Sequence, residues 1–257
     1  MKQRLSLFNL FAMDGGGKVI MILLSYPAVI ALSLYILKEK IIANTGKTYS
    51  EIITEDTSQK VLMIVFILYG ALLTVMLCRI GIKKHQTGAY TIERLSVSEY
   101  EYCICHIVYG FVVFTAFWLT ASASTIIIEK MFFMDGAAPG EFLVACRNCI
   151  YLRFLIPAGD KLQMFVLIGL GLASSVIAAC DCCRLRHGRQ FRFDSFLLYM
   201  CLYLCAKIVF YPMENMRYFD WRMMQDLIIV LCVLGIAAGV WGIVSAIRSK
   251  YEKEQVQ

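Results

Sequence analysis

The chain has 257 residues, of which 60% are hydrophobic and only 17% charged. That balance is too apolar for an ordinary soluble enzyme domain and excludes the disordered classes. The net charge of +6 lies in short segments between apolar runs, which argues against a basic nucleic-acid face.

A hydrocarbon core of roughly 30 Å is crossed by about 20 residues of helix rising about 1.5 Å each. Six apolar stretches are read as spans: 19–37, 61–82, 102–128, 164–180, 196–211 and 227–247. In lipid the backbone must satisfy its own hydrogen bonds, so such runs form helices, and the alternation of a membrane β-strand is absent. The expected fold is an all-α membrane protein with six transmembrane helices and one domain over 1–257.

Residues 2–13 form a weakly amphipathic helix, with Lys2, Ser6 and Asn9 on one stripe and Leu5, Phe8, Phe11 and Ala12 on the other. Gly15, Gly16 and Gly17 are expected to break it, leaving an interfacial helix over 1–18 hinged to span 1. Gly15-Gly16-Gly17-Lys18 is no phosphate loop, because Ala12 and Val19 stand where Walker A needs glycine and Ser or Thr. Span 1 is too long for a signal h-region and is followed by Lys38-Glu39-Lys40 rather than a small-residue cleavage site.

After the polar loop 38–60 and span 2, the loop 83–101 holds a turn at Thr87-Gly88 and a short helix over 89–95. Ser98 and Glu101 then supply a capping box for span 3. The segment 129–163 contains a second apolar stretch, 142–156, interrupted by Arg147, Asn148 and Arg153. Its charges place it at the outer surface; Pro157 ends it and Asp160 caps span 4.

Span 4 carries Gly169 and Gly171, and span 6 carries Gly235 and Gly239 as a GxxxG. Small residues at that spacing allow close helix approach, here read as packing inside the bundle. The loop 181–195 holds Arg184, Arg186, Arg189 and Arg192, the sharpest basic bias in the chain. By the positive-inside rule it is cytoplasmic, as are both termini. Arg79 and Lys207, near span ends, snorkel to the headgroups, and Lys207 could instead line a path for an anionic substrate.

Of the eleven cysteines, Cys78, Cys103, Cys105, Cys201, Cys205 and Cys232 read as small buried hydrophobes. Cys180, Cys182 and Cys183 read as thiols at a cytoplasmic helix end, with Asp181 and His187 beside them. Their spacing lacks paired zinc knuckles, so no metal is assigned. Cys146 and Cys149 form a CxxC without a redox-fold context, a labile disulfide at most. The acids fall in loops or at span edges, and His85, His106 and His187 are scattered. A membrane enzyme needs such groups gathered inside its spans, so catalytic residues are set at none.

The order of these elements resembles the six-helix permease subunits of ABC-2 type transporters, particularly the small bacterial exporter permeases. The resemblance rests on the N-terminal amphipathic helix, the stretch Thr87-Gly88-Ala89-Tyr90-Thr91-Ile92-Glu93-Arg94-Leu95-Ser96-Val97-Ser98, Leu155-Ile156-Pro157 before a Gly/Ala-rich span 4, and the basic loop after it. It covers the whole chain with soft motifs. Glu93 stands where a second basic residue is usual, and Ser96 replaces a proline.

The resemblance implies a multi-pass bacterial plasma-membrane subunit of an ABC exporter for a hydrophobic, amphipathic or peptide-like substrate. It implies no cofactor on this chain, with ATP and Mg held by a cytoplasmic ABC ATPase, and a second permease copy or homologous permease as partner. The loop between spans 2 and 3 would be a coupling helix docking the ATPase through Tyr90, Thr91, Glu93, Arg94 and Leu95. The segment 212–226 would be an outer gate carrying Tyr218, Trp221 and Arg222, an aromatic-basic mix that also suits interfacial anchoring. The competing reading is a non-transporting membrane anchor or sensor subunit that recruits a cytoplasmic partner.

Overall fold

The computed structural model describes residues 2–42, 53, 55–80, 98–132, 149–156, 161–186, 229–230, 233–245 and 247–248. Every element among them is helical: α1 (Lys2–Ile42), α2 (Asp56–Cys78), α3 (Glu99–Phe132), α4 (Ile150–Leu155) and α5 (Lys161–Arg186). A further apolar helix, α6 (Val233–Ser245), is shorter. Within α1, α2, α3 and α5 lie stretches long and apolar enough to cross a membrane, four in all among the described residues. They contain the expected spans 1 to 4 apart from the last residues of span 2 and the first three of span 4. Expected span 5, over 196–211, lies outside the described residues.

The outward faces are as apolar as the interior. Ile104, Val108, Val112 and Leu119 form an exposed stripe down α3, and Ile64, Leu68 and Leu72 form another down α2. A helix apolar on both its packed and its outer face belongs in lipid rather than water.

α3 is the hub, packing on α5 and α1, while α2 fills the space between α1 and α5. Close approach is set by small residues. A Cβ on Gly110 of α3 would lie 3.3 Å from the Ser175 Cβ and 3.5 Å from its Cα on α5. On α6 the contacts with α5 come at Gly239, whose added Cβ would meet Val176 at 2.6 Å, and at Gly242, which faces Cys180. α6 thus packs against α5 through Gly239, one half of the expected GxxxG pair, and Gly242.

The capping expectation holds for the serine arm: the Glu101 amide donates to Ser98 Oγ at 3.2 Å and starts α3.

The glycine hinge does not. α1 runs unbroken from Lys2 through Gly15, Gly16 and Gly17, and also through Pro27. Three helical glycines cost roughly 1 kcal/mol each relative to alanine, but tertiary packing offsets that. Leu7 and Phe11 are fully buried, Phe11 lies edge-on to Tyr102 at 5.2 Å, and Phe8 lies edge-on to Tyr109 at 5.2 Å. At Gly15 a Cβ would collide with Ile80, so that glycine serves close approach rather than bending. The segment expected as an interfacial helix is instead clamped to the start of α3.

The second correction concerns the apolar stretch before Pro157. Tyr151, Leu152 and Leu155 of α4 are buried, so the described end of this stretch packs into the bundle by side chains that its charges had suggested would lie at a surface. Its charged neighbour Arg147 is outside the described residues; the described part is almost wholly apolar and gains by insertion. The third is at the end of α5, which extends to Arg186 and takes in residues 181–186 that were expected in a loop.

Candidate functional site

The bundle has two differently built ends. At the first, α1 begins, α2 ends, α3 begins and α5 ends. A helix leaves its last carbonyls without intrahelical donors, and here side chains supply them. His106 Nε2 lies 3.0 Å from the Leu77 carbonyl. The Tyr102 hydroxyl and Cys182 Sγ both reach the Ile80 carbonyl at 3.4 Å. A carbonyl only accepts, so His106 carries its proton on Nε2. Its buried Nδ1 has no hydrogen-bond partner among the described residues.

Arg186, in the last turn of α5, closes this end. Its Nη1 is 3.2 Å from Glu99 Oε2, and its guanidinium carbon stands 4.3 Å above the Tyr102 ring. Acid at the first turn of α3 and base at the last turn of α5 both suit their helix dipoles. The set therefore works as a latch between α2, α3 and α5. Asp181 was expected at a helix end beside a loop, yet it lies inside α5 and is 1% exposed, as buried as Cys180, Cys182 and Cys183. Among the described residues no group of three or more potential ligands could hold a metal ion.

Toward the other end the interior is aromatic. Phe66 of α2 stacks on Phe117 of α3 at 5.1 Å, and Tyr26 of α1 meets Phe117 edge-on at 5.1 Å. The Tyr26 and Tyr151 hydroxyls share a hydrogen bond of 2.7 Å, which ties α4 to α1. Trp118 Nε1 donates to the Leu155 carbonyl at 2.8 Å, and Ser122 Oγ donates to the same oxygen at 3.2 Å. α4 is thus docked through its backbone as well as its side chains.

Burial pushes the Tyr151 phenol up to about 12, although Tyr26 and Thr125 pull it the other way. Because the folded state favours the neutral phenol, its contribution is complete below pH 10, the ordinary tyrosine value. That contribution is lost as pH rises toward about 12. Tyr151→Phe is expected to cost about 1 kcal/mol by orphaning the Tyr26 hydroxyl. It should also flatten the alkaline fall in stability, read from thermal unfolding in detergent across that pH interval.

Between α3 and α5, beside α4, lies a cavity of roughly 400 Å³. Its floor is Phe66, Phe114 and Phe117, and its mouth is formed by Leu119, Met164 and Ile168. The floor is at most 4% exposed, whereas the mouth residues are 64%, 54% and 50% exposed. The opening therefore faces sideways, onto the surface that carries the exposed apolar stripes. Among the described residues no charged side chain lines it.

Sequence reasoning did not single out this cavity, although a signal existed. Phe111, Phe114, Phe117 and Trp118 recur at helical spacing along span 3, and that stripe was read only as apolar span. The proposed docking residues Tyr90, Thr91, Glu93, Arg94 and Leu95 lie outside the described residues, as do Tyr218, Trp221, Arg222, Lys207 and Cys146. Cys149 is buried, with Sγ 3.5 Å from the Ile53 carbonyl. No protein-family model, curated protein or solved structure matches the chain.

Proposed function

We propose that this chain is the membrane-spanning permease subunit of an ABC exporter of the ABC-2 type. It moves a hydrophobic, amphipathic or peptide-like substrate with ATP hydrolysed by a separate cytoplasmic subunit. The observation that carries this reading is the sideways-opening aromatic cavity between α3 and α5. Pockets lined by apolar and aromatic side chains take small apolar ligands, and this one opens beside the exposed apolar stripe of α3. The likeness of element order to ABC-2 permeases supports the same reading.

Affinity purification of the full-length chain from its native membrane tests the proposal. The expected result is a co-purifying ATPase whose hydrolysis rate depends on the presence of this chain. A kinase-like or purely regulatory partner, with no nucleotide hydrolysis tied to the complex, would instead establish an anchor or sensor subunit.

A further inference from the structure

We propose that the cavity between α3 and α5 holds one acyl chain of a bilayer phospholipid. This goes beyond the permease reading, because a non-transporting subunit could hold a lipid in the same place.

The argument begins with hydrogen bonds. Among the described residues three side chains of the lining carry donors, and each is already bonded to backbone. Thr115 Oγ1 donates to the Phe111 carbonyl at 2.8 Å. The one Ser122 hydroxyl hydrogen is shared between the Trp118 and Leu155 carbonyls at 3.0 and 3.2 Å, and Trp118 Nε1 donates to the Leu155 carbonyl at 2.8 Å. A polar occupant would lose its own hydrogen bonds to water and find no free hydrogen on these three side chains, only the Thr115 and Ser122 hydroxyl oxygens as acceptors, so most of its polar groups would go unpaired at several kcal/mol each. That disfavours sugars, peptide backbone and ions and leaves hydrocarbon.

Shape selects among hydrocarbons. Along α3 the lining runs from Phe111 to Ser122, about 16 Å at about 1.5 Å per residue. One leaflet of a hydrocarbon core is about 15 Å deep, half of roughly 30 Å. The groove is therefore as long as one leaflet is thick and runs along a helix that can cross the membrane. Its mouth, at Leu119, Met164 and Ile168, is exposed and apolar, so a chain can enter from lipid without passing through water. Its floor, at Phe66, Phe114 and Phe117, lies too deep for lipids that only coat the outer surface.

That difference in depth supplies the test. The full-length chain is reconstituted in phosphatidylcholine vesicles containing a small fraction of phosphatidylcholine with a diazirine at the end of one acyl chain. After illumination, adducts are mapped by peptide mass spectrometry. Adducts on the buried Phe114 and Phe117 are the expected result, together with the general labelling of exposed Leu24 and Leu68. A Cβ at Gly171 would lie 3.6 Å from the Phe111 ring, so Gly171→Leu places its side chain in the cavity. It should lower floor labelling about tenfold, the factor that corresponds to 1.4 kcal/mol, and leave Leu24 and Leu68 unchanged. Thr115→Trp, at an exposed lining position, should do the same if Gly171→Leu does not accumulate.

Adducts confined to the mouth, at yields equal to those on Leu24 and Leu68, would overturn the proposal. So would a mouth protected from all labelling, which would mean that protein covers it. Floor labelling that persists in both variants would overturn it as well. None of these results depends on an ATPase, so failure of the lipid site shows in the labelling and failure of the permease reading shows in the co-purification.

Discussion

Replacing Gly110 with leucine is expected to separate α3 from α5 and cost about 3 kcal/mol or more, at the upper end of overpacking penalties. The neighbour at this position is Ser175, whose Cβ and Cα would lie 3.3 and 3.5 Å from an added Cβ. A backbone atom cannot swing aside, so the helices themselves must move apart. In lipid, burial from water does not drive helices together and close packing takes its place. The α3–α5 contact also builds the cavity and positions Arg186 over Tyr102, so both should fail together. Thermal unfolding in detergent, followed by gel filtration, reads the loss. Alanine at Gly16 and Gly17 is the control, because nothing lies within 4 Å of an added Cβ at either position. There the expected change is stabilising, by about 0.5–1 kcal/mol per site through the unfolded chain's lost freedom. If those alanines destabilised the protein, the unbroken α1 would be wrong and the hinge right.

The contrast between these glycines marks where sequence reasoning reaches and where it stops. Spans 1 to 4 were legible because a long apolar run in lipid has a single solution, the helix. The start of α3 was legible because Ser98 and Glu101 form a local signal, one that needs no distant partner. Gly15, Gly16 and Gly17 look alike in sequence, yet only Gly15 faces Ile80, from the turn that follows α2. Whether a glycine bends a chain or admits a neighbour is decided by that neighbour, which local sequence does not name.

The same limit explains the other differences. Asp181 stands beside arginines and cysteines and reads as a loop residue until α5 is seen to continue to Arg186. The stretch around Tyr151 reads as surface because of Arg147 and Arg153, whereas Tyr26, from far along the chain, supplies a buried hydroxyl for Tyr151 to meet. The cavity needs α2, α3, α4 and α5 at once, and no single span announces it. Its aromatic stripe on span 3 was visible, but a stripe becomes a floor only when a second helix leaves room above it.

Charge reversal at Arg94 carries the largest functional effect expected for this chain. In the permease reading the segment around Tyr90, Arg94 and Leu95 docks the ATPase through one aromatic, one charge and one apolar anchor. Arginine and tyrosine dominate such hot spots, where truncation costs about 2 kcal/mol or more, about thirtyfold in affinity. Arg94→Glu adds repulsion to the lost contact if the ATPase presents an acidic surface, so it should exceed Tyr90→Ala in effect. Both variants should bind the ATPase weakly and fail to stimulate hydrolysis, read by co-purification and by phosphate release. The bundle should unfold at an unchanged temperature, because its contacts at Gly110 and Tyr26 are made between α3 and α5 and between α1 and α4. That unchanged stability separates lost docking from lost folding. Full assembly and stimulation in the Arg94→Glu, Tyr90→Ala double variant would remove the coupling role from this loop. A co-purifying ATPase would then have to be held elsewhere, and in the permease reading the basic residues Arg184, Arg189 and Arg192 are the next to reverse.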